Sequence, residues 1–191
     1  MKQLNADIVI IGGSTGGVAA ALSALRMGCS VILTEETDWI GGQLTSQGVP
    51  PDEHQYIETT GCIKSYREFR DKVRRYYRSN FPLTQVAEKS DYFNPGNAAV
   101  GRLSIDPRVV VSVLEEMLMP YLFSGQLRLL KNHSIRKAEV HGDRIEGVYV
   151  VNLLSDELYC LTANYYLDGT DCGDLLPHCQ AEYVTGSESQ T

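Results

Sequence analysis

The run Asp7-Ile-Val-Ile-Ile-Gly-Gly-Ser-Thr-Gly-Gly17 constrains the fold more than any other feature of the chain, together with Glu35 at the end of the next apolar run. It reads as a strand, a glycine-rich turn, a helix and a second strand ending in an acid, the βαβ unit that binds a dinucleotide. Ile8 to Ile11 is a short continuous apolar run, suited to a parallel strand buried on both faces. Gly12 allows the tight turn, and Gly17 lets the following helix pack against the sheet. The free N–H groups and positive dipole end of that helix, near Thr15, then face phosphate. Glu35 follows Gly17 by 18 residues, close to the spacing of an acid that accepts ribose hydroxyl protons. Aligned as G-x-G-x-x-G, the segment reads Gly12-Gly13-Ser14-Thr15-Gly16-Gly17, with Ser14 at the middle glycine. Its hydroxyl is able to hydrogen-bond a phosphate oxygen, but its Cβ intrudes where the ligand comes closest.

The 191 residues suffice for one sizeable core. A net charge of −7 and a pI near 5.1 argue against nucleic acid or an anionic membrane surface as the main partner. The first residues lack the pattern of a signal peptide, and no run approaches the ~20 apolar residues needed to span a bilayer. Cys29, Cys62, Cys160, Cys172 and Cys179 are scattered, odd in number and without a CxxC pair. Reduced thiols in a cytoplasmic setting are expected, rather than disulfides or a zinc site.

Along the chain, the period of Val18, Ala21, Leu22 and Leu25 predicts a helix from Gly16 to Met27, stopped by Gly28. Ser30 to Thr34 is the second strand. A second helix is expected to start at Ser65, with Ser65 and Glu68 as a capping box, and to end at Ser79–Pro82. Its basic residues, Arg67, Arg70, Lys72, Arg74, Arg75 and Arg78, read as a solvated face rather than an anion site. Residues 85–103 read as irregular. Asp106-Pro107 starts a further helix with a buried stripe of Val110, Val113, Leu114, Met117 and Leu118, which Pro120 ends or kinks. Strands follow at 127–130, 135–141, 144–152, 157–161 and 165–167, a parallel strand and then a β-meander returning to the core.

Two further segments separate the dinucleotides. Glu35-Glu-Thr-Asp-Trp-Ile-Gly-Gly42 places paired glycines after the ribose acid, as in FAD-binding proteins of the glutathione-reductase type. Tyr165-Tyr-Leu-Asp-Gly-Thr-Asp-Cys-Gly-Asp174 resembles the strand and D-A-T-G turn that close the adenine half of such folds. The expected fold class is α/β, a Rossmann-like FAD/NAD(P)-binding three-layer fold with a parallel sheet plus a β-meander.

With Asp106-Pro-Arg-Val109 and Leu167-Asp-Gly-Thr-Asp-Cys-Gly-Asp-Leu175 added, the sequence resembles the FAD-dependent oxidoreductase family often described as xanthan-lyase-like. That is a branch of the glutathione-reductase-type flavoproteins related to fumarate reductase, and the likeness spans nearly the whole chain. The resemblance implies FAD on Gly12, Gly13, Ser14, Thr15, Gly16, Gly17 and Glu35, with the ribityl part near Gly41, Gly42 and Gln43. It also implies adenine against the backbone of Ile135, and Gly169 in the closing turn. The departures are Ser14, and Gly169 and Asp171 in the D-A-T-G-like turn; the last is expected to weaken the approach of backbone to cofactor. Family members are longer, so the chain reads as the N-terminal portion of an FAD-binding domain, truncated at its C-terminus. It divides into a βαβ unit (6–36), a helical and loop insertion (43–105), and a helix, strand and meander (106–175). The missing C-terminal portion or a complementary subunit is an expected partner, besides a small-molecule substrate.

The catalytic residues stay open. Cys62 lacks a partner for a redox disulfide and reads as a half-buried thiol. Gln43, Thr45, Ser46 and Gln47 read either as polar groups near the flavin or as loop caps. Asp52, Glu53 and His54 read as an exposed acidic loop rather than an acid–base cluster. Arg108 reads as part of a first helical turn, and His178 has no companion for a metal. The expected function is the FAD-binding part of a flavin-dependent oxidoreductase, with hydride transfer at flavin N5. The alternatives are an NAD-binding or thiazole-synthase-type enzyme, and a non-catalytic dinucleotide-binding fragment or subunit. A tRNA-modifying flavoprotein, suggested by Ala24-Leu-Arg-Met-Gly28, is disfavoured by the acidic pI.

Overall fold

Alternation along the first apolar run decides the architecture, because successive side chains of a strand face opposite sides of a sheet. The computed structural model describes residues 1–186. In it Lys2–Asn5 forms β1, Ile8–Ile11 β2, Thr15–Arg26 α1 and Val31–Glu35 β3. Ile10, Val31 and Leu33 enter one hydrophobic core, and Val9, Ile11 and Ile32 enter a second on the opposite face. Both faces of these strands are therefore covered, as the unbroken apolar runs required.

The first core is closed by helices. Ser14 caps α1 by accepting from the Gly17 N–H, and Gly28, at φ +91°, follows the C-terminal turn. Helix α2 (Lys64–Asn80) inserts Phe69 and Val73, a short α3 (Gln85–Lys89) follows, and α4 (Pro107–Phe123) lays its predicted stripe on the sheet. Asp106 caps α4 by accepting from the Arg108 N–H. Pro120 does not end the helix, which continues to Phe123. Its missing N–H falls in the last turn, where only the Glu116 carbonyl loses an intrahelical partner.

The remaining strands build the other layer. β4 (Leu127–Lys131) joins the parallel sheet, whose order is β4-β3-β2-β8, with β8 at Tyr165–Asp168. β5 (His133–His141), β6 (Arg144–Asn152) and β7 (Leu158–Thr162) form the antiparallel meander. Val148, Val150 and Leu161 of the meander meet Val9, Ile11 and Ile32 in the second core. Helices, parallel sheet and meander make three layers, the α/β Rossmann-like arrangement expected. β1 was absent from that expectation; it pairs in parallel with the edge strand β7, Lys2 beside Tyr159. A short helix α5 (Leu175–His178) follows β8, and the end of the polar tail, residues 187–191, lies outside the described residues.

Two expectations for α2 are corrected. The helix starts at Lys64 with Ile63 before it and no side-chain cap, while Glu68 pairs with Arg26 of α1 at 2.8 Å. Ser65 and Glu68 therefore form no capping box; a cross-helix ion pair takes the glutamate. Arg70 and Arg74 are not on a solvated face, being 0% and 2% exposed. Arg70 pairs with Glu53 and Glu58, and Arg74 pairs with Glu58 and donates to the Phe93 carbonyl at 3.1 Å. Glu53 is thus buried rather than part of an exposed acidic loop, whereas Asp52 and His54 are exposed. Burial, then the Tyr66 hydrogen bond to Glu53, pushes the Tyr66 hydroxyl well above its usual pKa. Burial opposes the Arg70 charge, and Glu53 and Glu58 outweigh it.

This network fastens the 43–62 loop to α2 rather than strengthening the core, since Glu53 Oε2 and Arg70 Nε are buried without a partner. Removing one member strands the others. Glu58→Ala is expected to lower unfolding stability by about 3–5 kcal/mol, while Arg75→Ala, on the exposed face, changes it by less than about 0.5 kcal/mol. Urea unfolding of both variants checks this.

Candidate functional site

A cleft of about 300 Å³ opens at the carboxyl ends of β2, β3 and β8. Ligands of open α/β sheets bind there, because strand ends and helix N-termini converge. Three glycines, two of them in its lining, bring together the backbones beneath it. Gly12 leaves β2 at φ +96°, and a Cβ on it would lie 2.5 Å from the Thr170 nitrogen. A Cβ on Gly17 would overlap the Gly12 carbonyl oxygen, and one on Gly169 would lie 2.6 Å from that oxygen and 2.9 Å from Gly17 Cα. The turn after β2, the start of α1 and the turn after β8 are therefore in backbone contact.

Ser14 sits at the head of α1. Its hydroxyl oxygen accepts from Gly17 N–H at 3.2 Å, which leaves the hydroxyl proton free to be donated. Thr15 lies outside the cleft lining and donates to the Gly41 carbonyl at 2.7 Å, and the Gly41 N–H donates to the Gly13 carbonyl at 2.7 Å. These bonds lock the paired-glycine loop onto the first turn. Gly42, at φ +49°, then comes so close to Ser14 that a Cβ would lie 3.1 Å from Ser14 Cα. Thr45 is buried and donates to the Ile40 carbonyl at 2.8 Å, a loop cap, while Ser46 and Gln47 line the cleft.

Glu35 is 9% exposed and bridges two turns. Its Oε2 accepts from Gly13 N–H at 3.1 Å, and its Oε1 accepts from Thr37 N–H at 2.9 Å and the Thr37 hydroxyl at 2.8 Å. A carboxylate oxygen accepts more than one bond, so Oε2 retains capacity for a hydroxyl. On the closing side, Asp168 accepts from Thr170 N–H at 2.9 Å and from Leu175 N–H at 3.0 Å, holding the turn against α5.

Of the residues expected to meet the cofactor, Gly12, Ser14, Glu35, Gly42, Ile135 and Gly169 line the cleft. Gly13, Thr15, Gly16, Gly17, Gly41 and Gln43 do not. Gly13, Thr15, Gly17 and Gly41 act one step back, as turn and packing positions, and Gln43 is an exposed side chain. The sequence reading missed Thr34, Glu36 and Thr37, which flank Glu35 at a strand's carboxyl end, a position that could have announced them. It also missed His133 and Asp174. His133 Nδ1 is 2.7 Å from the Lys131 carbonyl oxygen and Nε2 faces the Asn152 amide at 3.5 Å. Partial burial, then Glu36 and Asp168 nearby, holds the Asp174 carboxyl above its usual pKa.

The other candidates lie elsewhere. All five cysteines are free; Cys62 is half-buried away from the cleft, and Cys172 is exposed on its rim. Arg108 is exposed and pairs with its own cap, Asp106, at 2.6 Å. Among the described residues, no three His, Cys, Asp or Glu side chains are grouped to hold a metal, and no helix is long and apolar enough to cross a membrane.

A parallel sheet with a glycine-rich β2–α1 turn, an acid at the end of β3, a paired-glycine loop and a closing turn after β8 make up a Rossmann-like FAD-binding fold. The chain belongs to the FAD dependent oxidoreductase family, whose sequence model matches residues 7–191. No curated protein matches it significantly. Among solved structures it is similar to the apo form of Mycobacterium smegmatis Sdh1, at TM-score 0.56 and 13% identity, over 87% of this chain and 34% of that one. It is also similar to the Bacillus halodurans glycerol-3-phosphate dehydrogenase complexed with FAD, at TM-score 0.51 and 16% identity, over 87% and 34%. The rebeccamycin biosynthetic enzyme RebC, with reduced flavin, matches at TM-score 0.54 and 17% identity, over 87% and 32%. The chain thus spans about a third of the length of these structures.

Two expected outcomes test this geometry. Gly169→Ala restores the residue of the D-A-T-G pattern, yet the contacts with Gly12 and Gly17 leave no room for it. It should lower stability by about 1–3 kcal/mol, read as a fall in urea midpoint. Asp174→Asn removes a charge that the fold disfavours. A carboxyl with a raised folded pKa gives full stability below its unfolded value and loses it as pH rises through the folded one. The variant should therefore melt higher than the parent at pH 7, with the gain shrinking as pH falls towards about 4.

Proposed function

We propose that the chain is the N-terminal, FAD-binding portion of a cytoplasmic, flavin-dependent oxidoreductase of the xanthan-lyase-like branch. In this reading residues 6–36 form the nucleotide-binding unit, 43–105 an insertion carrying the flavin-side loop, and 106–175 the helix, strand and meander that complete the sheet. A small-molecule substrate and the electron acceptor would be engaged together with a C-terminal portion or a complementary subunit. The observation that carries the reading is the convergence of the Ser14 hydroxyl, the Glu35 carboxylate and the Gly12, Gly42 and Gly169 backbones on one cleft.

The cleft suits the group in its donor set and in its glycine cradle. Ser14, with the first amides of α1, would hold the diphosphate, a task fitted to a helix N-terminus. Glu35 would accept from the ribose hydroxyls while keeping Gly13 and Thr37 in place. Ile135 backbone would meet adenine, and Gly41, Gly42 and Gln43 with Ser46 and Gln47 would stand along the ribityl part. When bound, the flavin supplies hydride acceptance at N5; the protein supplies position and electrostatics.

Titration of the flavin-free protein with FAD, followed by flavin fluorescence, should show saturable binding tighter than that of NAD, and the purified holoprotein should carry flavin absorbance. Equal or tighter binding of NAD with no retained flavin would sink the reading. Glu35→Gln turns an amide donor towards the donors of Gly13 or Thr37. It should weaken FAD binding by about tenfold and lower stability by about 1–3 kcal/mol. A non-catalytic dinucleotide-binding role is the second reading. It is separated by whether bound flavin is reduced on addition of a chemical hydride donor that reduces free FAD poorly.

A further inference from the structure

The cleft carries the same sign of charge as the diphosphate of the ligand proposed for it. Carboxylates of Glu35, Glu36, Asp171 and Asp174 line it, and no lysine or arginine does among the described residues. Glu35 is committed to Gly13 and Thr37, and Glu36 accepts from Ser134 on the meander side. Asp171 is placed differently. Its Oδ2 lies 3.3 Å from the point where a Gly42 side chain would begin, and Ser14 Cα and Cβ lie 3.1 and 3.2 Å from that same point. The carboxylate therefore stands beside the head of α1, the most favourable place for an anion in this fold. Gln47 holds it there, its amide donating to Asp171 Oδ2 across the mouth of the cleft.

We propose that Asp171 is an affinity-determining residue which competes electrostatically with the diphosphate of FAD at the N-terminus of α1. The proposal rests on the FAD reading above. It makes the turn after β8 a built-in brake on binding: the ligand's phosphates meet a fixed negative charge, and the dipole that would attract them is already partly answered. Binding is then weaker than the glycine cradle alone would allow, and the penalty falls on the phosphates rather than on adenosine.

The test compares the protein with Asp171→Asn, which removes the charge and keeps an acceptor for Gln47. Dissociation constants for FAD, ADP and adenosine are measured by fluorescence and calorimetry, at low and at high salt. The expected result is tightening of FAD and ADP by about tenfold in the variant at low salt, with adenosine unchanged within twofold. The gain should shrink at high salt, where the repulsion is screened. Unchanged or weaker binding of FAD and ADP would overturn the proposal, showing Asp171 to be neutral or a ligand acceptor. Equal gains for adenosine and ADP would overturn it too, because loop rearrangement rather than charge would then be the cause. If neither form binds FAD or adenosine at any salt, the FAD reading itself fails and the proposal falls with it.

Discussion

Everything at the functional end of this protein depends on three backbones touching without side chains between them. Gly12, Gly17 and Gly169 come from a strand end, a helix start and a turn far along the chain, and each occupies space that any Cβ would fill. Their contact brings β2, α1 and β8 to one point, so that the head of α1, the Glu35 carboxylate and the closing turn face a common cleft. Apolar burial on both faces of the parallel sheet supplies the stability, but it does not choose this geometry. Absence of atoms chooses it.

Around that point the polar groups serve structure first and ligand second. Glu35 ties Gly13 to Thr37, Ser14 caps its own helix, and Asp168 fixes the turn into α5. Ser14 and Glu35 retain a proton or lone pair beyond these bonds, so the cleft is ordered by groups that still have hydrogen-bonding capacity to offer. The mouth of the cleft is where this economy stops, since Asp171 brings a charge that its neighbours do not neutralise.

Much of the architecture was legible because its causes are local. The apolar runs at 8–11 and 31–33, the Asp106-Pro107 cap and the meander turns each declare their element in a few residues. The glycines and Glu35 likewise marked the cleft. What could not be read depends on partners distant in sequence. Arg70 and Arg74 look solvated until Glu53 and Glu58 arrive to pair them, and Ser65 with Glu68 looks like a cap until Arg26 takes the glutamate. Lys2–Asn5 has no strand pattern of its own; it is ordered by the free edge of β7. His133 enters the cleft only because the meander folds back over β3, a juxtaposition that no local pattern encodes.

The placing of β2 between β3 and β8 has a consequence for how the molecule comes into being. Ile8–Ile11, the first strand of the parallel sheet to be made, is internal to it, and its second neighbour, Tyr165–Asp168, is the last described strand to leave the ribosome. Until then one edge of an intensely apolar strand stays open, and the glycine contact that shapes the cleft cannot close. Parallel pairing over such a separation delays the closing step in folding. The cleft therefore cannot form before β8 has been made, and until then the nascent chain has a long interval in which that edge needs shielding.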